Sequence, residues 1–372
     1  MFIGIDASRA NKIRKTGTEW YSYYLIRNLA KIDKKNRYLL YSKEPLREGL
    51  KDLGKNFKSK VLSWPPKFLW TQARLSWEMI RFPPDLLFVP AHTIPLIHPK
   101  KTITTCHDIG FERFPEFYSL RELYYHRWAM RFAIKHASHI ITVSEFTKRE
   151  MLEIYKINPQ KIVVVHNGFN KNVFRSTGDQ KKIQETLIKY KIKKPYILYI
   201  GRLEEKKNTL GLVKAFKELR AKNSELKTLK LLLIGQFGFG YEKVEGAIQK
   251  FNLRDEIIRP GWIKEEDRLH LMSGASLFVF PSFYEGFGIP PLEAMACGVP
   301  VVASRAASIP EVVGDAAFSV NPQDPQEIAE GMRRVLEDKN LREDLINKGF
   351  KRVKEFSWER CAKETLKVLL EV

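Results

Sequence analysis

Short apolar runs alternate with amphipathic stretches along this chain, and the pattern runs through twice. In the first pass the candidate strands are Phe2 to Ile5, Tyr38 to Tyr41, Lys60 to Leu62, Leu86 to Val89, Thr102 to Cys106, His139 to Val143 and Lys161 to Val165. A polar stretch, 171–194, interrupts it. The pattern restarts at Tyr196 to Ile200 and continues through Lys230 to Ile234, Ile257 to Arg259, Leu277 to Phe280, Pro300 to Ala303 and Ala317 to Val320. Strands buried on both faces read as continuous apolar runs, and parallel neighbours need a crossover, usually helical. Two passes therefore predict two parallel sheets wrapped by helices, and 372 residues suffice for two cores.

The expected organisation is α/β, with two Rossmann-like domains: residues 1–176, then 177–356, followed by a terminal segment 357–372. Ligands bind such sheets at the carboxyl ends of their strands, which places a cleft between the two domains. Between strands, Tyr124, Trp128 and Phe132 recur every four residues and are read as the core-facing stripe of a helix. The strongest apolar run, Ala275 to Pro281, is far short of the roughly 18 residues that span a bilayer. Asp6 and Arg9 interrupt the N-terminal apolar stretch, so no signal peptide is read there and a cytoplasmic chain is expected. Cys106, Cys297 and Cys361 are widely spaced and odd in number, which predicts reduced thiols with no disulfide or structural zinc.

The formal charge is +21, and it is unevenly placed. Residues 1–175 carry 31 Lys and Arg against 15 Asp and Glu, or +16, while the remainder carries 33 against 28, or +5. A polyanionic partner is implied, and nucleic acid, anionic lipid and a phosphorylated substrate all satisfy it.

The densest chemical signal is 281–304, which follows a buried strand. Glu285-Gly286-Phe287-Gly288 form a turn, and Pro290-Pro291 open a helix containing Leu292 and Glu293. Glycines let backbone approach a ligand closely, and a helix start favours phosphate. Glu285 and Glu293 repel phosphate, so their part is to accept hydrogen bonds from sugar or ribose hydroxyls. A second element, Tyr199 to Asn208, ends a strand in Gly201 and follows with Arg202, Lys206 and Lys207, a setting suited to a diphosphate. Lys206 is read as the exposed neighbour.

Two Glu separated by seven residues in this context resemble the signature of the retaining, nucleotide-sugar-dependent glycosyltransferases of family 4, which have the GT-B fold. The likeness extends to Ser308-Ile309-Pro310-Glu311-Val312-Val313-Gly314. It implies that Glu285 contacts hydroxyls of the transferred sugar and Glu293 the ribose. Amides around Gly286, Phe287, Gly288 and Leu292 would hold sugar and diphosphate, with Arg202 and Lys207 as the diphosphate-binding cations. In the first domain it implies a phosphate approach at Gly17, within Thr16-Gly17-Thr18, where the family's glycine-rich loop is reduced to one glycine. His107, in Cys106-His107-Asp108, would contact the donor sugar near the reacting carbon, and Ser144-Glu145 with Asn167-Gly168 would line the cleft. The segment 357–372, opening with Ser357-Trp358, would cross back to the first domain.

The chemistry implied is retaining hexosyl transfer from a nucleotide-sugar donor, with no cofactor and no metal, since no apolar run ends in an Asp-x-Asp pair. The segments 281–304 and 107–116 look closest to mannosyltransferase-type members that build surface polysaccharides, which points to GDP-mannose; a UDP-sugar donor is the alternative. The acceptor would be a glycan or a lipid-diphosphate-linked glycan. A nucleic-acid-binding protein or a sugar-nucleotide epimerase would explain the charge or the tandem domains but not the paired Glu, and no nucleic acid is expected as partner. Finally, Trp64, Lys67, Trp70, Arg74, Trp77 and Arg81 interleave rings with cations, which suits peripheral attachment to an anionic membrane on its inner face. A core helix fits Trp70 and Trp77 equally well.

Overall fold

The computed structural model describes residues 1–371 apart from Lys67, Asn223 and Trp262. It divides into two units, Met1–Gly168 with Phe356–Val372, and Phe169–Glu355. The first holds a seven-stranded sheet built from β1 (Phe2–Asp6), β2 (Arg37–Ser42), β3 (Phe57–Val61), β4 (Leu86–Val89), β5 (Thr102–Cys106), β6 (His139–Thr142) and β7 (Ile162–Val164). Its order is β3-β2-β1-β4-β5-β6-β7, parallel throughout. The second holds β8 (Tyr196–Ile200), β9 (Lys230–Ile234), β10 (Ile257–Ile258), β11 (Leu277–Phe280), β12 (Val301–Ser304) and β13 (Phe318–Val320), in the order β10-β9-β8-β11-β12-β13 and again parallel.

Each expected strand is present. The largest boundary shift is at β3, which begins at Phe57 rather than Lys60: as an edge strand it keeps Lys58 and Ser59 exposed and carries no apolar run to read. In both sheets the winding reverses at one place, β1 beside β4 and β8 beside β11. There the outgoing loops diverge and leave a crevice at the carboxyl ends of the strands.

Three expectations are corrected. The stripe of Tyr124 and Trp128 does not face the core: in the helix Leu120–His136 the buried residues are Leu123, Ala129, Met130 and Ala133, while Tyr124 is 69% and Trp128 41% exposed. Both stripes satisfy a helical period, and the one bearing Ala129 and Ala133 lets the helix lie closest to the sheet. Only Phe132 of the stripe packs half-buried against the core, and Trp128 stacks on it at 5.6 Å.

Trp70 and Trp77 do not share a face either. Trp70 is buried in the cluster with Tyr41, Leu75, Met79 and Ala133, whereas Trp77 is exposed. The segment Trp70–Leu75 is π-helical, and its wider turn rotates Trp77 away from Trp70's side.

The chain enters the second unit after Gly168, earlier than 176, because Phe169 and Phe174 are already buried and Phe174 lies beneath Arg268 of that unit. It returns at Phe356, and the helix Trp358–Leu370 packs on the helix Gly17–Ile32. Cys106, Cys297 and Cys361 are free and buried.

Candidate active site

In the second unit, β8 and β11 are hydrogen-bonded neighbours, so the loops leaving their carboxyl ends meet. After β8 the chain passes Gly201 and Arg202, makes a single 3-10 turn at Glu205–Lys207, and reverses at Asn208, whose φ is +55°. After β11 it runs through Pro281 to Gly288 and enters the helix Ile289–Ala296. Two hydrogen-bonded ties join these loops. The Phe283 amide donates to the Lys206 carbonyl at 3.1 Å, which leaves Lys206 half-buried rather than exposed. The buried Asn208 side chain donates to the Pro281 carbonyl at 3.1 Å and the Pro322 carbonyl at 2.6 Å.

The consequence is an ion pair that the sequence could not place. The Lys207 ammonium lies 2.6 Å from Glu285, and each side chain is only 14% exposed. The other Glu285 oxygen accepts from the Ser282 hydroxyl at 3.1 Å. Ser308, fully buried, sets its hydroxyl between the carbonyls of Glu285 at 2.8 Å and Phe287 at 3.0 Å, pinning the turn. Gly286, Phe287 and Gly288 are buried within it.

Gly288 has φ +97°, a conformation that side chains rarely adopt, and it caps the following helix. A helix leaves its first four amide positions open, and here two of them are Pro290 and Pro291. Gly288 and Ile289 are therefore the amides that remain for an anion. Leu292 is completely buried and contributes its side chain to the core.

Glu293, the second carboxylate, faces inward. It is 7% exposed and pairs with Arg268 at 2.8 Å. Burial raises its pKa, with the Arg268 charge opposing. Arg268 also lies over the Phe174 ring at 5.1 Å. Arg202 is the open cation of the site, 57% exposed, with its Nε 3.2 Å from Glu204. A glycine-rich loop after β9 lies against it: Gly238 donates its amide to Leu203, and a Cβ there would sit 2.6 Å from Glu204.

In the first unit His107 follows β5. Its Nε2 lies 3.1 Å from the Pro90 carbonyl, which can only accept, so Nε2 carries the hydrogen and Nδ1 is left as an acceptor. Burial lowers its pKa to about 4, so the ring is neutral near pH 7. Gly17 opens the helix Gly17–Ile32, and a Cβ there would meet nothing within 4 Å. In each of the two residue pairs read as cleft lining, one member has structural work. Ser144 is a buried cap of the helix Glu145–Tyr155, and Gly168 abuts the backbone of Ser357–Trp358, where a Cβ would come within 2.1 Å.

The family described as "Glycosyl transferases group 1" matches residues 163–352, and "Glycosyltransferase Family 4" matches residues 15–173. This chain belongs to the group 1 glycosyl transferases. Among curated relatives, the O-antigen chain mannosyltransferase B of Escherichia coli is 33% identical over 72% of this chain and 69% of its own. The serotype-specific mannosyltransferase WbdA of Escherichia coli is 29% identical over 74% of this chain, which spans only 33% of that protein. Among solved structures, Anabaena HepE in complex with UDP and glucose is 20% identical, with a TM-score of 0.76 over 100% of this chain and 99% of that one. The two Rossmann-like units are those of the GT-B fold, and the protein is a hexosyltransferase.

For this glycosyltransferase, sequence reasoning missed the residues that position the site. Asn208 and Ser308 stood inside recognised motifs without an assigned part. Arg268 had no signal at all, because its partner Glu293 lies 25 residues away on another helix.

Proposed function

We propose that this glycosyltransferase moves a mannosyl residue from GDP-mannose onto a surface polysaccharide, with retention of configuration. The observation that carries transfer chemistry is the Lys207–Glu285 pair, held at the switch point of the second unit. The mannosyl and polysaccharide assignments rest on the relatives named above. Lys207 has three N–H donors, so it can hold Glu285 and a donor phosphate together. Arg202 spends Nε on Glu204 and keeps its terminal nitrogens for the other phosphate. Glu285 accepts from hydroxyls of the sugar and Glu293 from the ribose; in the first unit, neutral His107 offers Nδ1 as an acceptor. The bond from C1 to the phosphate oxygen breaks as the acceptor oxygen bonds C1 on the same face, and the acceptor's proton passes to the departing phosphate. Arg202 and Lys207 stabilise the charge that develops there.

A panel of nucleotide sugars, each with and without a mannan-type acceptor, tests this reading. GDP should appear from GDP-mannose only when acceptor is present, the product linkage should keep the donor's anomeric configuration, and EDTA should leave the rate unchanged. Turnover of UDP-sugars alone would favour the second donor reading, for which HepE's UDP complex is the precedent. Loss of activity in EDTA, restored by Mg²⁺, would overturn the cation-only account of the leaving group.

Membrane attachment belongs to the same proposal. No helix among the described residues is long and apolar enough to cross a bilayer. The first unit nevertheless exposes Phe68, Trp77, Ile80, Phe82, Tyr124 and Trp128. The Ile97 amide on the Ser76 hydroxyl, and the His98–Phe132–Trp128 ring contacts, join the helix Ser76–Arg81 to the helix Leu120–His136 in one ridge. Lys67 lies outside the described residues. Arg74 pairs through one terminal nitrogen with the buried Glu78 at 3.3 Å, which leaves Arg81 the less encumbered of the two cations. Sedimentation with liposomes should show binding that needs anionic lipid, weakens with salt, and falls in Arg81→Glu and in Trp77→Ala/Trp128→Ala. Equal binding by these variants would remove the ridge from the interface.

A further inference from the structure

The first unit has a cavity of about 600 Å³ that the transfer chemistry above does not use. It lies at the carboxyl ends of β1, β2 and β4, where the strand order of this sheet reverses. Arg9 and Lys12 reach it from the segment after β1, and Lys43 and Arg47 from the segment after β2, with Arg14 at its edge. Against these five cations the lining offers two carboxylates, Asp6 and Glu44.

The internal pairing leaves much of that charge uncompensated. Arg47 is structural: it pairs with Glu44 at 2.9 Å and donates through Nε to the Asn11 carbonyl at 3.0 Å. Lys12 takes Glu19 at 3.1 Å, and Arg9 reaches the same carboxylate only at 4.0 Å. Among the described residues neither Lys43 nor Arg14 has a carboxylate within ion-pair distance. Desolvation lowers the Lys43 pKa, and Lys12 and Arg9 add repulsion against the pull of Asp6. Asp6 itself is buried and spent on the Ser8 amide at 2.9 Å.

The cavity also lies within electrostatic reach of His107 and adjoins an apolar surface. The Arg9 charge acts on His107. Tyr125, from the helix Leu120–His136, forms part of the wall, and the exposed Tyr124 and Trp128 continue along that helix. Ile13, 75% exposed, also lines the cavity. Convergent cations from two loops suit a ligand of charge −2 or more, since one carboxylate would leave most of them unpaired.

We propose that this cavity binds a phosphoryl group carried by the acceptor, a lipid-linked diphosphate whose apolar chain lies along Ile13 and the Tyr124–Trp128 stripe. That the ligand is an acceptor rests on the glycosyltransferase reading; that it is a phosphoryl group does not.

The test titrates the intact protein with inorganic pyrophosphate in saturating GDP, which occupies the donor residues of the second unit. Wild type should bind, and Arg9→Gln/Lys43→Gln should bind roughly 10- to 100-fold more weakly with its GDP affinity unchanged. Equal pyrophosphate affinity in the two proteins would overturn the site. In a second arm, neutral phosphatidylcholine vesicles with or without a few per cent polyprenyl diphosphate are sedimented with protein. Recruitment that needs the diphosphate and is lost in the double variant supports the lipid source; pyrophosphate binding without such recruitment overturns that source and leaves a soluble phosphorylated acceptor. If pyrophosphate binding depends on Arg9 and Lys43 while no sugar is transferred from any donor, the phosphoryl site stands and the reading of its ligand as an acceptor fails.

Discussion

Glu285→Gln and Lys207→Ala should each lower kcat/KM for sugar transfer by roughly 10²- to 10³-fold, the usual cost of removing one group that meets developing charge. The two residues form one unit, 2.6 Å apart and each 14% exposed. Removing either strands the other, which for a fully buried pair costs about 3–5 kcal/mol. The solvent that reaches this pair should reduce the cost to about 1–3 kcal/mol, less than the ~5–15 kcal/mol that holds a domain together. Both variants should therefore fold, with a lowered Tm. Lys207→Met/Glu285→Gln separates stability from chemistry. With no charge left unpaired it should recover most of the lost Tm while transfer stays as low as in the worse single variant. Recovery of transfer along with stability would mean that the pair is only a structural bridge, and unchanged transfer in the single variants would remove it from the site.

Deleting residues 357–372 should unfold the first unit. The helix Trp358–Leu370 buries Trp358, Cys361, Ala362, Thr365, Val368 and Leu369 in that unit. Trp358 stacks on Tyr24 with ring centres 5.5 Å apart and meets the edge of Tyr21. At about 1.5–3 kcal/mol for each large apolar side chain, the loss is on the order of 5–10 kcal/mol, comparable with the whole stability of a domain. The truncated chain should be insoluble, or should show the first unit cleaved in limited proteolysis. Trp358→Ala offers a graded version, with an expected cost of about 3–5 kcal/mol. Gly168→Ala should be destabilising as well, because the added methyl would fall 2.1 Å from the Trp358 amide nitrogen. A truncated protein with wild-type Tm and transfer would show that the helix contributes nothing to this core.

The sequence by itself determined the two parallel sheets, because a strand buried on both faces has to be apolar along its length whatever surrounds it. β4 and β11, apolar and buried at every position, were legible for that reason, and the edge strand β3, with Lys58 and Ser59 exposed, was the least so. It also determined the residue types of the candidate site, since Gly288 at φ +97° and a proline-opened helix are requirements of the local backbone. Pairing between distant segments was settled only in three dimensions. Lys207 finds Glu285, and Arg268 finds Glu293, because β8 lies beside β11 and the helix Glu265–Ser273 packs on the helix Ile289–Ala296. Only the tertiary structure, too, decided which stripe of the helix Leu120–His136 faces inward. Tyr124, Trp128 and Phe132 have the same four-residue period as a core face, and a period states that a helix has sides without stating which side the sheet will take. The small side chains of Ala129 and Ala133 allow the closer approach; Tyr124 and Trp128 were left on the surface, and Phe132 packs half-buried at the margin of the core.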